Sequence, residues 1–235
     1  MVSVVVHCNP GLQNQIDCAD ALRSGFTVAE MPVEVVYDRR PQKANEITVI
    51  QGPWWAYNEF IGKPNVLWLD RTFYGCAVNN VSLGWLNENG SRDFGDCDKP
   101  AKGELPALHP AKEKTRSVIV FGDYGRDPAQ EMSYARRTYD SVFYRAHPAS
   151  NGRTPYLTLG GELETVFAIG DCAVGYKTTA LIDAAIHGLH THSTNPWHVV
   201  QEIETLGREK WLAELSWKQW SLDELRAGTF VDHLC

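Results

Sequence analysis

Gly170 and Gly175 in GDCAVGYKTT (170–179) stand at the spacing of the two glycines of a P-loop. Tyr176 separates the second glycine from Lys177, so the lysine comes one position too late to act as a Walker lysine. The surroundings still have a phosphate-binding grammar. TVFAI before the stretch is expected to be a strand, and ALIDAAIHG after it a helix. A helix start offers unpaired N–H groups and the positive end of the dipole, which suit an anion. On this reading Asp171, Cys172, Gly175, Tyr176, Lys177 and Thr178 face the phosphates of a ligand. The competing reading is an ordinary strand-to-helix turn that needs glycine for its backbone angles.

FGDYGRDP (121–128) offers a second loop of this kind, with the pair Gly122 and Gly125 admitting a close approach and Arg126 forking onto two oxygens. It reads equally as a turn into a proline-started helix with a surface arginine. RAHP (145–148) places His147 at a strand end, where an imidazole donates to a phosphate oxygen. Alone it is weak, since His109-Pro110 repeats the pair. Asp70 in WLDRTFYG (68–75) also ends an expected strand. A carboxylate there suits a general base toward a hydroxyl, or an ion pair with Arg71. GPWWAY (52–57) sets Trp54, Trp55 and Tyr57 in a strand-end loop, fit for stacking on a sugar or base, or for plugging the core. His187, His190, His192 and His198 crowd into HGLHTHSTNPWH, but no cysteine or second acid joins them at a familiar ligand spacing, and no metal is assigned.

These residues need strands to carry them to one edge, and the pattern supplies them. VSVVVHC, VEVVYD, EITVIQG and NVLWLDR read as strands, with a loop and amphipathic helix in NPGLQNQIDCADALRSGFTVA and a short helix and its stop in NEFIGKP. VSLGWLNENGSRDF reads as a hairpin turning at NENG. The segment 95–115 is polar, with lysines and prolines, and reads as a linker. The grammar then restarts with RSVIVFGDYG, VFYRAHP, TVFAIG and LHTHS as strands, helices at DPAQEMSYARRTYDS and YKTTALIDAAIHG, and two closing helices, NPWHVVQEIETL and REKWLAELSWKQWSLDELRAG. Short strands separated by helices imply parallel pairing. The expected fold is α/β, two Rossmann-like lobes with parallel sheets and a cleft between them, residues 1–112 and 113–235, the tryptophan-rich last helix packing across both.

The 235 residues are 43% hydrophobic and 22% charged, ordinary for a globular chain. A net charge of −7 excludes a global basic field for nucleic acid, so a DNA substrate would need a local positive groove. No apolar run is long enough to span a bilayer. The N-terminus MVSVVVHCNP reads as a strand rather than a signal peptide, and the six cysteines show no CxxC pair, so reduced thiols and a cytoplasmic protein are expected.

Taken together, AIGDCAVGYKTTALIDAAIHG resembles the NS-x-x-G-x-x-A-L-x-x-G element of glycosyltransferases of the capsule-polysaccharide group, and AHP resembles the His-Pro motif of related transferases. The first half, with LWLDRTFYG and VSLGWLNENGSRDF, and the tail WKQWSLDELRAG resemble small phage-encoded glycosyltransferase-like proteins. The Asn-Ser pair of the element is Asp171-Cys172 here, so its hydroxyl contact does not carry over. The resemblance implies a compact GT-B fold without a required cofactor or metal. A nucleotide-sugar donor, a UDP-sugar by preference, is then held by the second lobe through Gly122, Tyr124, Gly125, Arg126, His147, Asp171, Cys172, Gly175, Tyr176, Lys177 and Thr178. The first lobe takes the acceptor through Asn9, Gly11, Trp54, Trp55, Tyr57 and Arg71, with Asp70 as base. The phage likeness implies the hydroxymethyl group of a modified pyrimidine in double-stranded DNA, flipped out of the stack. A saccharide or lipid acceptor, and a non-catalytic nucleotide-sequestering protein, are the alternatives.

Overall fold

Val4, Val5 and Val6 are all buried, because a run of three apolar residues has to be covered on both faces of its strand. The structure is a computed structural model and describes residues 3–37, 46–51, 60, 63–71, 80–85, 100–150 and 154–234. In chain order its strands are β1 Ser3–His7, β2 Val33–Val36, β3 Glu46–Gln51, β4 Val66–Arg71, β5 Asn80–Trp85, β6 Ser117–Phe121, β7 Ser141–Arg145, β8 Cys172–Gly175, β9 His190–Ser193 and β10 Gln219–Ser221. The helices are α1 Gln13–Val28, α2 Ala129–Thr138, α3 Leu163–Phe167, α4 Ala180–Ile186, α5 Ile203–Leu206, α6 Arg208–Trp217 and α7 Leu222–Ala227. Among the described residues no helix is long and apolar enough to cross a membrane. The chain is an α/β fold in two compact units, Met1–Leu105 with Leu212–Cys235, and Pro106–Trp211.

The first unit holds a mixed sheet in the order β10-β5-β4-β3-β1-β2. Strands β2, β1, β3 and β4 run parallel, and β5 runs antiparallel to both β4 and β10. Helix α1 buries Cys18, Ala19, Leu22 and Phe26 on the face of Val4, Val6, Val49 and Leu67. Helix α7 lies against α1 where Gly25 has no side chain; a Cβ there would stand 1.9 Å from the Leu225 carbonyl oxygen. The second unit is a four-stranded parallel sheet, β7-β6-β8-β9.

Four expectations change. TVFAI is not a strand: Leu163, Val166 and Phe167 recur at helical spacing and form α3, with Val166 and Phe167 buried. The strand is CAVG itself, so the turn into α4 begins only at Tyr176. The tail is not one helix across the lobes. It breaks after Trp217 into β10, which pairs with β5, and Ser221 then opens α7 with a reciprocal capping box to Glu224. Residues after Trp211 therefore group with the first unit rather than with a lobe of 113–235, and the first boundary falls at 105 rather than 112. Strand β5 lies between β4 and β10, while its expected hairpin partner after NENG lies outside the described residues, as does most of NEFIGKP.

The linker 95–115 is irregular where it is described, yet it is not loose. Lys102 donates through Nζ to the Gln219 carbonyl and to Glu224 Oε1 at 3.2 Å, and sits 3.6 Å above the Trp220 ring. Beyond residue 105 the segment belongs to the second unit. Lys112 Nζ donates to the carbonyls of Phe167 (2.6 Å) and Gly170 (2.8 Å). Gly188, at φ +89, lets Pro110 in, since a Cβ would meet the Pro110 carbonyl oxygen at 2.2 Å.

Candidate functional site

The second sheet reverses its order of construction between β6 and β8. From β6 the chain crosses to β7 on one side, then returns past β6 to lay down β8 on the other. In an open parallel sheet the crevice at such a switch, beyond the carboxyl ends of the strands, is where ligands bind. Here it lies between the loop after β6, Gly122 to Asp127, and the turn after β8, Tyr176 to Thr179.

These two loops are joined to each other. Asp123 accepts from the Lys177 N–H at 3.1 Å through Oδ2 and from the Tyr124 N–H at 2.9 Å through Oδ1. Arg126 crosses to the other loop and lies with its guanidinium 3.7 Å from the centroid of the Tyr176 ring, and Lys177 Nζ stands 5.6 Å from the same ring. Arg126 is aimed by Glu131 Oε1 at 2.9 Å and Gln130 Oε1 at 3.0 Å. Glu131 is 2% exposed and also accepts from the Thr194 hydroxyl. His147, after β7, packs edge-on to Tyr124 at 5.6 Å, its Nδ1 accepting from the Ala149 N–H at 3.1 Å. Burial pushes the Asp123 carboxyl above its ordinary value, against the pull of the Tyr124 and Lys177 N–H groups, His147 and Arg126. The result is a cluster of Arg126, Lys177 and His147 round one half-buried carboxylate.

The structure thus brings together Gly122, Tyr124, Gly125, Arg126, His147, Gly175, Tyr176, Lys177 and Thr178. Gly122 is close under Tyr144: a Cβ would lie 2.5 Å from its hydroxyl oxygen. Helix α4 is only seven residues long, and its approach spends donors internally, Lys177 N–H on Asp123 and Ala180 N–H on Thr178 Oγ1 at 3.3 Å. Anion chemistry at this edge rests on side chains more than on that helix start. Asp171 and Cys172 are elsewhere, at the opposite end of β8, on the order of 10 Å away by strand rise. Asp171 accepts from the Thr115 hydroxyl and from Ser117 Oγ at 2.8 Å, which hold its carboxyl below the usual range. Cys172 is a fully buried core residue.

Asp123 and Glu131 are functional positions that the phosphate-facing pattern of the sequence does not include, since both are acids. Asp123 stands between the two glycines of GDYG, and Glu131 five residues past Arg126, so the signal is an acid on each side of the arginine. The four histidines separate. His187 Nδ1 lies 2.9 Å from the Asp183 carbonyl, His190 Nε2 3.0 Å from the Lys112 carbonyl, and His192 stacks on Tyr134 at 4.6 Å. His198 is wholly buried, which lowers its pKa to about 4. Among the described residues no group of histidines, cysteines and acids is arranged to hold a metal.

In the first unit Asp70 is half-buried near the carboxyl end of β4, opposite Ser82 of β5. It shares the sheet face of Val66 and Trp68, away from α1. Asn9 and Gly11 form a turn after β1, Asn9 Oδ1 accepting from the Gly11 N–H at 2.9 Å. Arg71 is the last residue of β4. Trp54, Trp55 and Tyr57 lie outside the described residues.

No family model matches the chain, and no curated protein is similar to it in sequence. In fold it is similar to KpsC of Thermosulfurimonas dismutans, a beta Kdo 2,7 transferase, with a TM-score of 0.51 and 10% identity over 97% of this chain and 98% of that one. The chain shares with that transferase an α/β fold with parallel strands. At that identity the likeness speaks for fold.

Proposed function

We propose that this chain is a metal-independent glycosyltransferase that moves a sugar from a nucleotide-sugar donor to a hydroxyl acceptor. The observation that carries this reading is the likeness in fold to a sugar transferase along 97% of the chain. The cluster of Arg126, Lys177 and His147 at the β6/β8 switch point agrees with it. In this reading Arg126, Lys177 and His147 receive the diphosphate, the charge of Arg126 and Lys177 stabilising it as it leaves and His147 donating through its other ring nitrogen. Tyr176 is the platform that sets the arginine's height, and Asp123 ties the two loops so that the cations arrive together.

The acceptor hydroxyl gives its proton to the Asp70 carboxylate. Its oxygen bonds to the anomeric carbon as the bond from that carbon to the phosphate oxygen breaks, and the nucleoside diphosphate takes the electron pair. Donor on the second unit and acceptor on the first is the division of a GT-B enzyme. The sequence resemblance favours a UDP-sugar and a hydroxymethylated pyrimidine in DNA. The likeness to a beta Kdo 2,7 transferase and the net charge of −7 favour a saccharide acceptor instead. Thermal shift with UDP-, GDP-, CMP- and ADP-sugars tests the donor, and release of the nucleotide in the presence of hydroxymethylated DNA or an oligosaccharide tests the acceptor. Asp70→Asn is expected to keep donor binding and lose turnover. No shift with any donor sinks the proposal, and donor binding without turnover on either acceptor leaves a sequestering protein.

A further inference from the structure

Strand β7 is an outer strand of the second sheet and pairs there with β6. The Ser141 N–H donates to the Arg116 carbonyl at 3.1 Å, and the Arg145 carbonyl accepts from the Gly122 N–H at 2.8 Å. Ser141, Phe143 and Arg145 therefore turn their backbone groups toward β6, and Val142 and Tyr144, which alternate with them, turn theirs outward. Residues 156–161 cross this outer edge at its far end. The Leu159 N–H donates to the Tyr144 carbonyl at 2.7 Å, and Thr158 Oγ1 accepts from the Ala146 N–H at 2.8 Å. The Arg145 guanidinium then holds the carbonyls of Leu159 (2.5 Å) and Gly161 (2.9 Å). Short of that crossing the edge is open. Among the described residues nothing meets the Val142 N–H, the Val142 carbonyl or the Tyr144 N–H.

A cavity of about 270 Å³ lies beside these groups, between α2, β7 and the crossing segment. Met132, Val142, Tyr144 and Tyr156 share one face of the sheet there, the two tyrosine rings 5.4 Å apart. Leu157, which also lines the cavity, is 97% exposed. Arg136 is the charged residue of the lining, with its guanidinium 5.6 Å from the centroid of the Tyr156 ring. Among the described residues no carboxylate pairs with Arg136, and no acid lines the cavity. The edge thus offers N–H, C=O and N–H in that order, beside an apolar hollow and an unspent positive charge.

We propose that this edge docks the C-terminal end of a partner polypeptide, added to β7 as a short parallel strand. In parallel pairing one residue donates to a carbonyl of the neighbouring strand and accepts from the N–H two positions on. The partner's last residue donates to the Val142 carbonyl, and its carboxylate accepts from the Tyr144 N–H. The carbonyl two residues earlier accepts from the Val142 N–H. An antiparallel strand would need the Tyr144 carbonyl as well, and Leu159 occupies it. A longer parallel strand would need that same carbonyl for its next N–H, so the added strand ends here, in a carboxylate that Arg136 attracts. The penultimate residue lies opposite Val142, and its side chain falls on the face of Met132 and Tyr156, where the cavity takes an apolar or aromatic group. A bare anion leaves the Val142 carbonyl without a donor and the hollow unfilled. None of these residues is among those proposed to hold a nucleotide sugar, so the inference does not rest on that function.

The test follows the Val142 and Tyr144 amide resonances of the full chain during titration with N-acetyl-Phe-Ala as the free acid, the same peptide as its C-terminal amide, N-acetyl-Gly-Ala and acetate. The acetyl carbonyl stands for the carbonyl two residues before the end. The Phe-Ala acid is expected to shift both amides and to bind about threefold more tightly than its amide. The Gly-Ala acid, without a side chain for the cavity, is expected to bind about tenfold more weakly. Arg136→Gln, an exposed substitution, is expected to bring the Phe-Ala acid down to the affinity of its amide. Val142→Pro removes an outward donor and no ladder bond, as an edge position allows, and is expected to weaken acid and amide alike. Val142 and Tyr144 amides that stay still, an amide as tight as the acid, acetate as tight as the peptide, or an acid preference that survives Arg136→Gln overturns the proposal. Resonances that move with protein concentration alone put a second copy of the chain on this edge and overturn it too.

Discussion

Replacing Asp183 with asparagine is expected to stabilise the second unit at neutral pH, by an amount that vanishes in acid. Asp183 sits in the first turn of α4, where burial pushes its carboxyl up from 3.8 to about 6, with His187 pulling it down and Glu164 pushing it up. A group whose folded pKa is raised contributes its stability in full below the unfolded value and loses it as the pH rises through the folded one. The native state thus gives up stability between about pH 4 and pH 6, and above that it carries a half-buried charge. A shift of about two units corresponds to about 3 kcal/mol, which remaining contact with water reduces to about 2 kcal/mol. Asparagine keeps the shape without the charge. Thermal melts of both proteins across pH 4 to 8 are expected to coincide near pH 4 and to separate by about 5 °C in favour of Asp183→Asn at pH 7.5. A separation that does not change with pH, or an asparagine variant that melts lower at pH 7.5, refutes the reasoning.

Gly122→Ala sets a methyl 2.5 Å from the Tyr144 hydroxyl oxygen and 3.2 Å from His147 N, and is expected to cost about 1–3 kcal/mol in urea unfolding, part of it recovered by adding Tyr144→Phe. Arg126→Ala leaves the buried Glu131 carboxylate without its cation and is expected to cost about 2–4 kcal/mol, with Glu131→Gln in the same protein restoring much of it while nucleotide-sugar binding stays lost. Lys102→Met removes the donor to the Gln219 carbonyl and Glu224 and is expected to lower the urea midpoint of the first unit by the equivalent of about 2 kcal/mol. Equal stability of wild type and Lys102→Met would show that the strap is decorative.

Local pattern carried the fold a long way, and where it failed the reason was a contest between two patterns. The valine run of β1 and the apolar runs of β3, β4 and β6 had no competing reading, and each became a strand of a parallel pair. TVFAI had one: its valine and phenylalanine look like a strand, but Leu163 completes a helical i, i+3, i+4 set, and tertiary burial chose the helix. That one choice moved Asp171 and Cys172 from the ligand edge to the far end of β8. The tail shows the converse. Ser221 and Glu224 spell a capping box, so a helix start was legible inside what periodicity read as one long helix. What no local pattern holds is partnership across the chain. The Asp123 contact to Lys177 spans 54 residues, and the strap from Lys102 to Gln219 spans 117. Tyr176 belongs to the same class. As an insertion it ruins a P-loop, but with Arg126 on its ring it becomes the surface on which a cation from another loop is held, and only the order of strands β6 and β8 puts the two within reach.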